Sequence, residues 1–167
     1  MSGVHNPAQL ILSLSEAVMW RNKLQKQGKK LVITNGCFDI LHRGHAEYLY
    51  ESRLLGDALL ILMNSDAAVQ ALKGPSRPIV PQEHRAYLLA ALECVDAVVI
   101  FDSARCDAEL AALKADIYVK GGDYTVEKLD QSERAALENA GTKICFKPFI
   151  PGFSTTNIIE KIQNDGK

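Results

Sequence analysis

Gly36-Cys37-Phe38-Asp39-Ile40-Leu41-His42-Arg43-Gly44-His45 follows the apolar run Leu31-Val32-Ile33-Thr34 and precedes a helical pattern that starts near Ala46. A strand therefore ends at a glycine turn, and a helix begins beside two histidines. In an open α/β sheet, ligands bind outside the carboxyl ends of the strands, where helix N-termini present N–H groups to anions. The stretch reads as a phosphate site.

Working outward, residues 8–27 place Leu10, Leu14, Ala17, Val18 and Leu24 at near-helical spacing, with Gly28 as a stop signal. This predicts a leading helix, within residues 1–28, packed on the rest of the chain. Residues 29–34 read as the first strand and residues 44–55 as the next helix. The run Ala58-Leu59-Leu60-Ile61-Leu62-Met63 reads as a buried strand. Asn64-Ser65-Asp66 then supplies turn and N-cap chemistry for a short helix ending at Leu72. Lys73-Gly74-Pro75-Ser76-Arg77-Pro78-Ile79-Val80-Pro81 is too rich in Pro and Gly for regular structure and reads as a loop carrying two cations.

The alternation continues to the end of the chain. Helices are predicted at residues 82–92, 107–113, 130–139 and 154–162, and strands at 97–100, 117–119 and 143–146. Strands alternating with helices imply a parallel sheet with right-handed crossovers, here a Rossmann-like, doubly wound, five-stranded α/β fold. Residues 1–167 show no internal repeat, low-complexity tract or composition shift, so a single domain is expected.

Composition narrows the partners. The 167 residues are 47% hydrophobic and 23% charged, ordinary for one globular unit, and the formal net charge of −1 offers no broad basic surface. Nucleic acid is thus disfavoured and small molecules are favoured. Cys37, Cys94, Cys106 and Cys145 form no C-x-x-C pair, and no secretory pattern opens the chain, so reduced thiols in a cytoplasm are expected. No apolar run approaches the roughly 20 residues that span a bilayer, so no membrane role is expected.

Polar residues cluster at four predicted strand ends: the opening stretch, the 73–78 loop, Lys120-Gly121-Gly122-Asp123-Tyr124, and Ser154-Thr155-Thr156. His42 and His45 lie three apart, so they share a helix face and could donate to one anion; the competing readings are surface or capping histidines, or a zinc site with Cys37. Gly36 and Gly44 permit close backbone approach to a phosphate. Asp39 could meet a ribose, a metal or an amine, or simply shape the turn. Ser154, Thr155 and Thr156 cap the last helix, a role compatible with phosphate binding.

The motif G-C-F-D-x-L-H-x-G-H resembles the signature of the nucleotidyltransferase superfamily, which includes the cytidylyltransferases. The wider pattern of Thr34-Asn35-Gly36-Cys37-Phe38-Asp39, Asn64-Ser65-Asp66, Leu72-Lys73-Gly74-Pro75, Lys120 to Tyr124 and Ser154-Thr155-Thr156 is most similar to the bacterial D-glycero-β-D-manno-heptose 1-phosphate adenylyltransferases. Those enzymes make ADP-heptose for the lipopolysaccharide inner core, some fused to a sugar kinase. The resemblance implies ATP and a sugar phosphate as substrates, Mg2+ carried by the triphosphate rather than by protein ligands, and a dimer as in many relatives.

On the resemblance, His42, His45 and Lys73 serve catalysis. Asn35, Gly36, Cys37, Phe38, Asp39, Gly44, Arg85, Lys120, Gly121, Gly122, Asp123, Ser154, Thr155 and Thr156 then serve nucleotide binding. Arg85 has a surface helix cation as its competing reading, and Arg77, like Lys73, could close over the triphosphate or be an ordinary cation of a solvated turn. Cytidylyltransferases acting on glycerol 3-phosphate usually carry an arginine ahead of the S-T-T motif, whereas here Lys147-Pro148-Phe149-Ile150-Pro151-Gly152-Phe153 fills that approach, which favours ATP over CTP.

Overall fold

The computed structural model describes residues 5–122, 125–148 and 154–164. Five strands, β1 (Leu31–Gly36), β2 (Ala58–Asn64), β3 (Ala97–Phe101), β4 (Ile117–Gly121) and β5 (Lys143–Lys147), form one parallel sheet in the order β3-β2-β1-β4-β5. The chain first winds outward from β1 to β3, then returns to lay β4 on the other side of β1. The direction of winding reverses between β1 and β4, and a crevice opens there beyond the strands' carboxyl ends. The expected doubly wound α/β architecture is the observed one.

Among the described residues, seven helices flank or connect the strands: α1 (Leu14–Lys26), α2 (Arg43–Arg53), α3 (Asp66–Lys73), α4 (Gln82–Ala90), α5 (Asp107–Leu113), α6 (Gln131–Asn139) and α7 (Thr155–Asn164). The alternation of side chains along each strand sorts them onto two faces. Leu31, Ile33, Leu60, Leu62, Val99 and Tyr118 pack with Ala17 and Leu24 of α1, Leu110 and Leu113 of α5 and Leu137 of α6. Val32, Leu59, Ile61, Met63, Val98 and Val119 pack with Leu49 of α2 and Ala86 and Leu89 of α4. Every residue of β2 is buried, as its unbroken apolar run requires in a sheet covered on both faces. Each such Leu, Ile or Val removed from water contributes about 1.5–3 kcal/mol, so the sheet edge carrying the crevice is a stiff platform.

The first helix begins later than its apolar spacing predicts. Pro7–Leu10 forms a 3₁₀ turn, Ile11 bridges to Val98, and the Leu12 N–H donates to the Val98 carbonyl at 2.9 Å. The edge strand β3 thereby captures residues 11 and 12 in extended form. Ser13 then starts α1 with a reciprocal capping box: its hydroxyl accepts the Glu16 N–H, and the Glu16 carboxylate accepts the Ser13 N–H at 2.8 Å. The other helices and strands lie within two or three residues of their predicted bounds. One short 3₁₀ turn, Val126–Lys128, has no counterpart in the sequence pattern.

Candidate active site

A cavity of about 570 Å³ opens over the carboxyl ends of β1 and β4. Its walls include Asn35, Gly36, Cys37, Phe38, Asp39, His42, Gly44, His45, Lys73, Lys120, Gly121, Ser154, Thr155 and Thr156, which four separate strand ends contribute. Two of the described candidates, Gly122 and Arg85, are not among them. Gly122 sits at φ +112° and its N–H donates to the Lys147 carbonyl at 2.8 Å. Arg85 is fully buried beneath the site. Asp123 lies outside the described residues, as do Tyr124 and residues 149–153.

The turn between β1 and α2 is built around Phe38, whose backbone sits at φ +47° and whose ring is buried. A Cβ on Gly36 would come within 3.0 Å of that ring, so a side chain there would crowd Phe38 inside the turn. Phe38 then meets His45 edge-on, with ring centroids 5.3 Å apart, and His45 stacks on His42 at 3.8 Å. His42 is the N-cap residue of α2, and it lines the cavity together with Gly44 of the first turn, so the start of the helix borders the site. Thr155 donates to the Ile40 carbonyl at 3.3 Å, which brings the start of α7 to the same turn. The Ser154 hydroxyl accepts the Asn157 N–H at 3.0 Å and so acts as a cap.

Burial pushes the His45 imidazole down to about 4, with the His42 ring and the Lys73 ammonium acting in the same direction and the Ile40 backbone opposing them. Burial also lowers His42. His45 is therefore neutral at pH 7, a donor through one ring nitrogen, and an arriving polyanion would favour its protonated form. Lys73 ends α3 and precedes Gly74, whose φ of +94° lets the chain leave the helix sharply. Tyr48, one helical turn after His45, also lines the cavity. Its hydroxyl bonds Thr34 Oγ1 at 2.7 Å and donates to the Val119 carbonyl at 3.1 Å, tying α2 to β1 and β4. Burial raises Tyr48 to about 12, so it stays protonated.

Asp39 resolves among its alternatives as a fastener. Its side chain is 1% exposed and accepts from Arg77 Nε at 2.6 Å, the Ile79 N–H at 2.7 Å and the Val80 N–H at 3.0 Å. Burial alone would raise its carboxyl, but the Val80, Arg77 and Ile79 donors outweigh it and hold the group below the usual aspartate range. Arg77 thus finds its role as the clamp that holds the 74–81 loop against the turn. Arg85 works from below: it donates to the carbonyls of Val80, Cys37 and Asn64 and pairs with Asp66 at 2.7 Å. Sequence pattern alone could not separate these roles from phosphate binding, because a loop arginine and a helix arginine look alike whichever way they point.

On the other face of the sheet edge, strand alternation brings Asn35 and Lys120 together. Lys120 Nζ donates to Asn35 Oδ1 at 3.0 Å, and the Tyr118 hydroxyl donates to the same oxygen at 2.7 Å. Glu133 of α6 lies 3.9 Å from Lys120 Nζ and, with Arg105, lines the cavity there. Nothing in the sequence singled out Tyr48, Arg105 or Glu133; Glu133 in particular reads as an ordinary acidic residue in a helix's first turn. Among the described residues, no group of three or more His, Cys, Asp or Glu side chains is placed to hold a metal ion.

The family model for cytidylyltransferase-like proteins matches residues 33–161, from the first strand through the last helix. The chain belongs to the cytidylyltransferase-like family. Members of this family use a nucleoside triphosphate as substrate. The chain is 48% identical over 136 residues to the bifunctional protein HldE of Pelobacter propionicus, covering 81% of this chain and 28% of that protein. It is 42% identical over 161 residues to the bifunctional protein HldE of Alcanivorax borkumensis, covering 96% and 32%. The chain therefore spans about a third or less of the length of these relatives. Among solved structures, the lipopolysaccharide core biosynthesis protein of Thermoplasma volcanium superposes with a TM-score of 0.59 at 29% identity, covering 74% of this chain and 98% of that one. Pantoate-beta-alanine ligase from Francisella tularensis shares the fold, with a TM-score of 0.51 at 14% identity over 93% and 77% of the two chains. Among the described residues, no helix is long and apolar enough to cross a membrane.

The titration of the site has a measurable consequence. Between about 6.5, the ordinary histidine value, and about 4, an unfolded chain takes up a proton on His45 that the folded chain refuses. Stability is therefore lost as the pH falls through that window, and the lowered Asp39 adds a further loss below the ordinary aspartate value of 3.8. Urea midpoints should drop from pH 7 to pH 4.5, and a His45→Gln variant should show a flatter profile. Equal slopes in the two proteins would refute this account.

Proposed function

We propose that the chain transfers AMP from ATP to a sugar 1-phosphate, namely D-glycero-β-D-manno-heptose 1-phosphate, giving ADP-heptose and pyrophosphate. The observation that carries this reading is the stacked His42–His45 pair beside Lys73 at the start of α2, in a chain 42–48% identical to bifunctional HldE proteins over most of its length. The lipopolysaccharide core assignment of the Thermoplasma protein points to the same pathway chemistry.

A phosphate monoester has a second pKa of about 6, so at pH 7 it is mostly dianionic and needs no base to become a nucleophile. One of its oxygens attacks the α-phosphorus of ATP in line, the bond to the bridging β-phosphate oxygen breaks, and pyrophosphate departs with that electron pair. The burden on the protein is to stabilise negative charge on the α-phosphate and the leaving group. His42 and His45 donate to the triphosphate, Lys73 adds positive charge from the loop side, and Ser154 to Thr156 present hydroxyl and N–H groups. Neutral histidines suit donation and are not required to accept a proton. The carboxyl groups lining the cavity do not suit a metal cage, since Asp39 is taken by three donors and Glu133 is a single carboxylate, held through one oxygen by Cys106 and facing the Lys120 ammonium. Mg2+ accordingly enters as the counterion of the triphosphate. A cytoplasmic setting supplies both substrates.

Pyrophosphate release with ATP or CTP against heptose 1-phosphate and glycerol 3-phosphate tests the reading. Release is expected with ATP and heptose 1-phosphate. Release with CTP alone would assign the chain to the cytidylyl branch of its family, and nucleotide binding without release on any acceptor would make it a binding module.

A further inference from the structure

Glu133 is a buried carboxylate at the wall of a cavity whose other charged groups suit an anion. Its side chain is 6% exposed. Oε1 is held by the Cys106 N–H at 3.3 Å and the Cys106 thiol at 3.4 Å, so the start of α5 fixes the carboxylate plane. Oε2 faces Lys120 Nζ across 3.9 Å, near enough to pair in charge and too far for a hydrogen bond, so its lone pairs are left for another donor. The proposed catalysis does not use this group.

Electrostatics divides the cavity. On the α2 side stand His42, His45, Lys73 and the start of α7, with Asp39 already neutralised by its three donors. On the α5–α6 side stand Asn35, Lys120, Arg105 and Glu133. Lys120 and Arg105 are cations on this side, but a phosphate oxygen brought against Glu133 Oε2 itself would meet repulsion, whereas an alcohol placed there gains a charge-assisted bond. The α5–α6 side is thus matched to an uncharged, hydroxyl-bearing part of a ligand. Lys120 and Asn35 flank the carboxylate with a donor and an amide, the mixture that a polyol needs.

We infer that Glu133 reads sugar hydroxyls, with Oε2 accepting from a vicinal diol of the bound substrate. This rests on the proposed sugar-phosphate reaction, and the diol belongs either to the ribose of the nucleotide or to the acceptor sugar. Calorimetric binding to the resting protein separates the two sources without relying on turnover. The probes are ATP, 2′,3′-dideoxy-ATP, heptose 1-phosphate and inorganic phosphate. The wild type should prefer one hydroxyl-bearing probe over its hydroxyl-free counterpart by about 10-fold or more, as expected for a hydrogen bond to a charged group. Glu133→Gln, which preserves shape and an acceptor for the Cys106 N–H, should erase that preference while its melting temperature stays near that of the wild type. Loss of the ATP preference assigns the diol to ribose, and loss of the heptose preference assigns it to the acceptor. The inference is overturned if the wild type shows neither preference, or if Glu133→Gln retains both. Pyrophosphate release by the wild type, run alongside, judges the proposed reaction separately.

Discussion

Replacing His45 with alanine is expected to lower turnover by about 10²–10³-fold while the protein remains folded. The imidazole is a preorganised donor in a partly desolvated cavity, and removing one donor of that kind costs about 2.7–4 kcal/mol of transition-state stabilisation. Its orientation is set by three neighbours: the His42 ring at 3.8 Å, the Phe38 ring at 5.3 Å, and the first turn of α2, where the His45 N–H donates to the His42 carbonyl at 3.0 Å. Alanine keeps the helix and loses the donor. The fall should appear in kcat as well as kcat/KM, because the donor serves charge that grows during the transfer. His45→Gln, which restores an N–H in part, should recover some of the loss. Turnover near the wild-type level in His45→Ala would remove His45 from the mechanism, and collapse of the urea midpoint would show a structural role instead.

The strands and the site turn were legible because they depend on local signals. β2 announces itself by six consecutive apolar residues, Ala58 to Met63, and the β1–α2 turn by glycine and histidine chemistry between a β-branched run and a helix. What the sequence did not disclose depends on long-range contacts. Whether residues 11 and 12 continue a helix or join β3 is decided by Val98, some 86 positions away. Glu133 becomes a cavity residue only because α5 and α6 converge, so that the Cys106 N–H can hold it. Asp39 could have faced a ligand or a backbone, and the decision belongs to the loop at Ile79 and Val80, about 40 residues later. Residue type narrows chemistry to a short list; the fold chooses among its members.

Arg85 is the sharpest instance, and its removal carries the largest expected cost in stability. Arg85→Ala should destabilise the protein by about 3–5 kcal/mol, the usual range for deleting one partner of a buried charged network. The guanidinium has no exposed surface, and its bonds to Cys37, Asn64, Val80 and Asp66 join the site turn, the end of β2, the 74–81 loop and the start of α3. Alanine would leave those carbonyls without donors in a dry interior and open a cavity besides. The melting temperature should fall on the order of 10 °C for a chain of this size. Arg85→Lys keeps the charge but offers one compact ammonium in place of a planar fork, so it cannot reach all four acceptors and should lie between the two. A phosphate ligand would behave otherwise: its loss would raise KM or lower kcat while leaving the melting temperature in place. Because the same bonds hold the turn that carries His42 and His45 and the loop that follows Lys73, Arg85→Ala should also lose activity, but chemical denaturation would reveal the loss of stability at every pH near neutrality, with or without nucleotide. An unchanged denaturation midpoint together with a large rise in the KM for ATP would return Arg85 to the ligand.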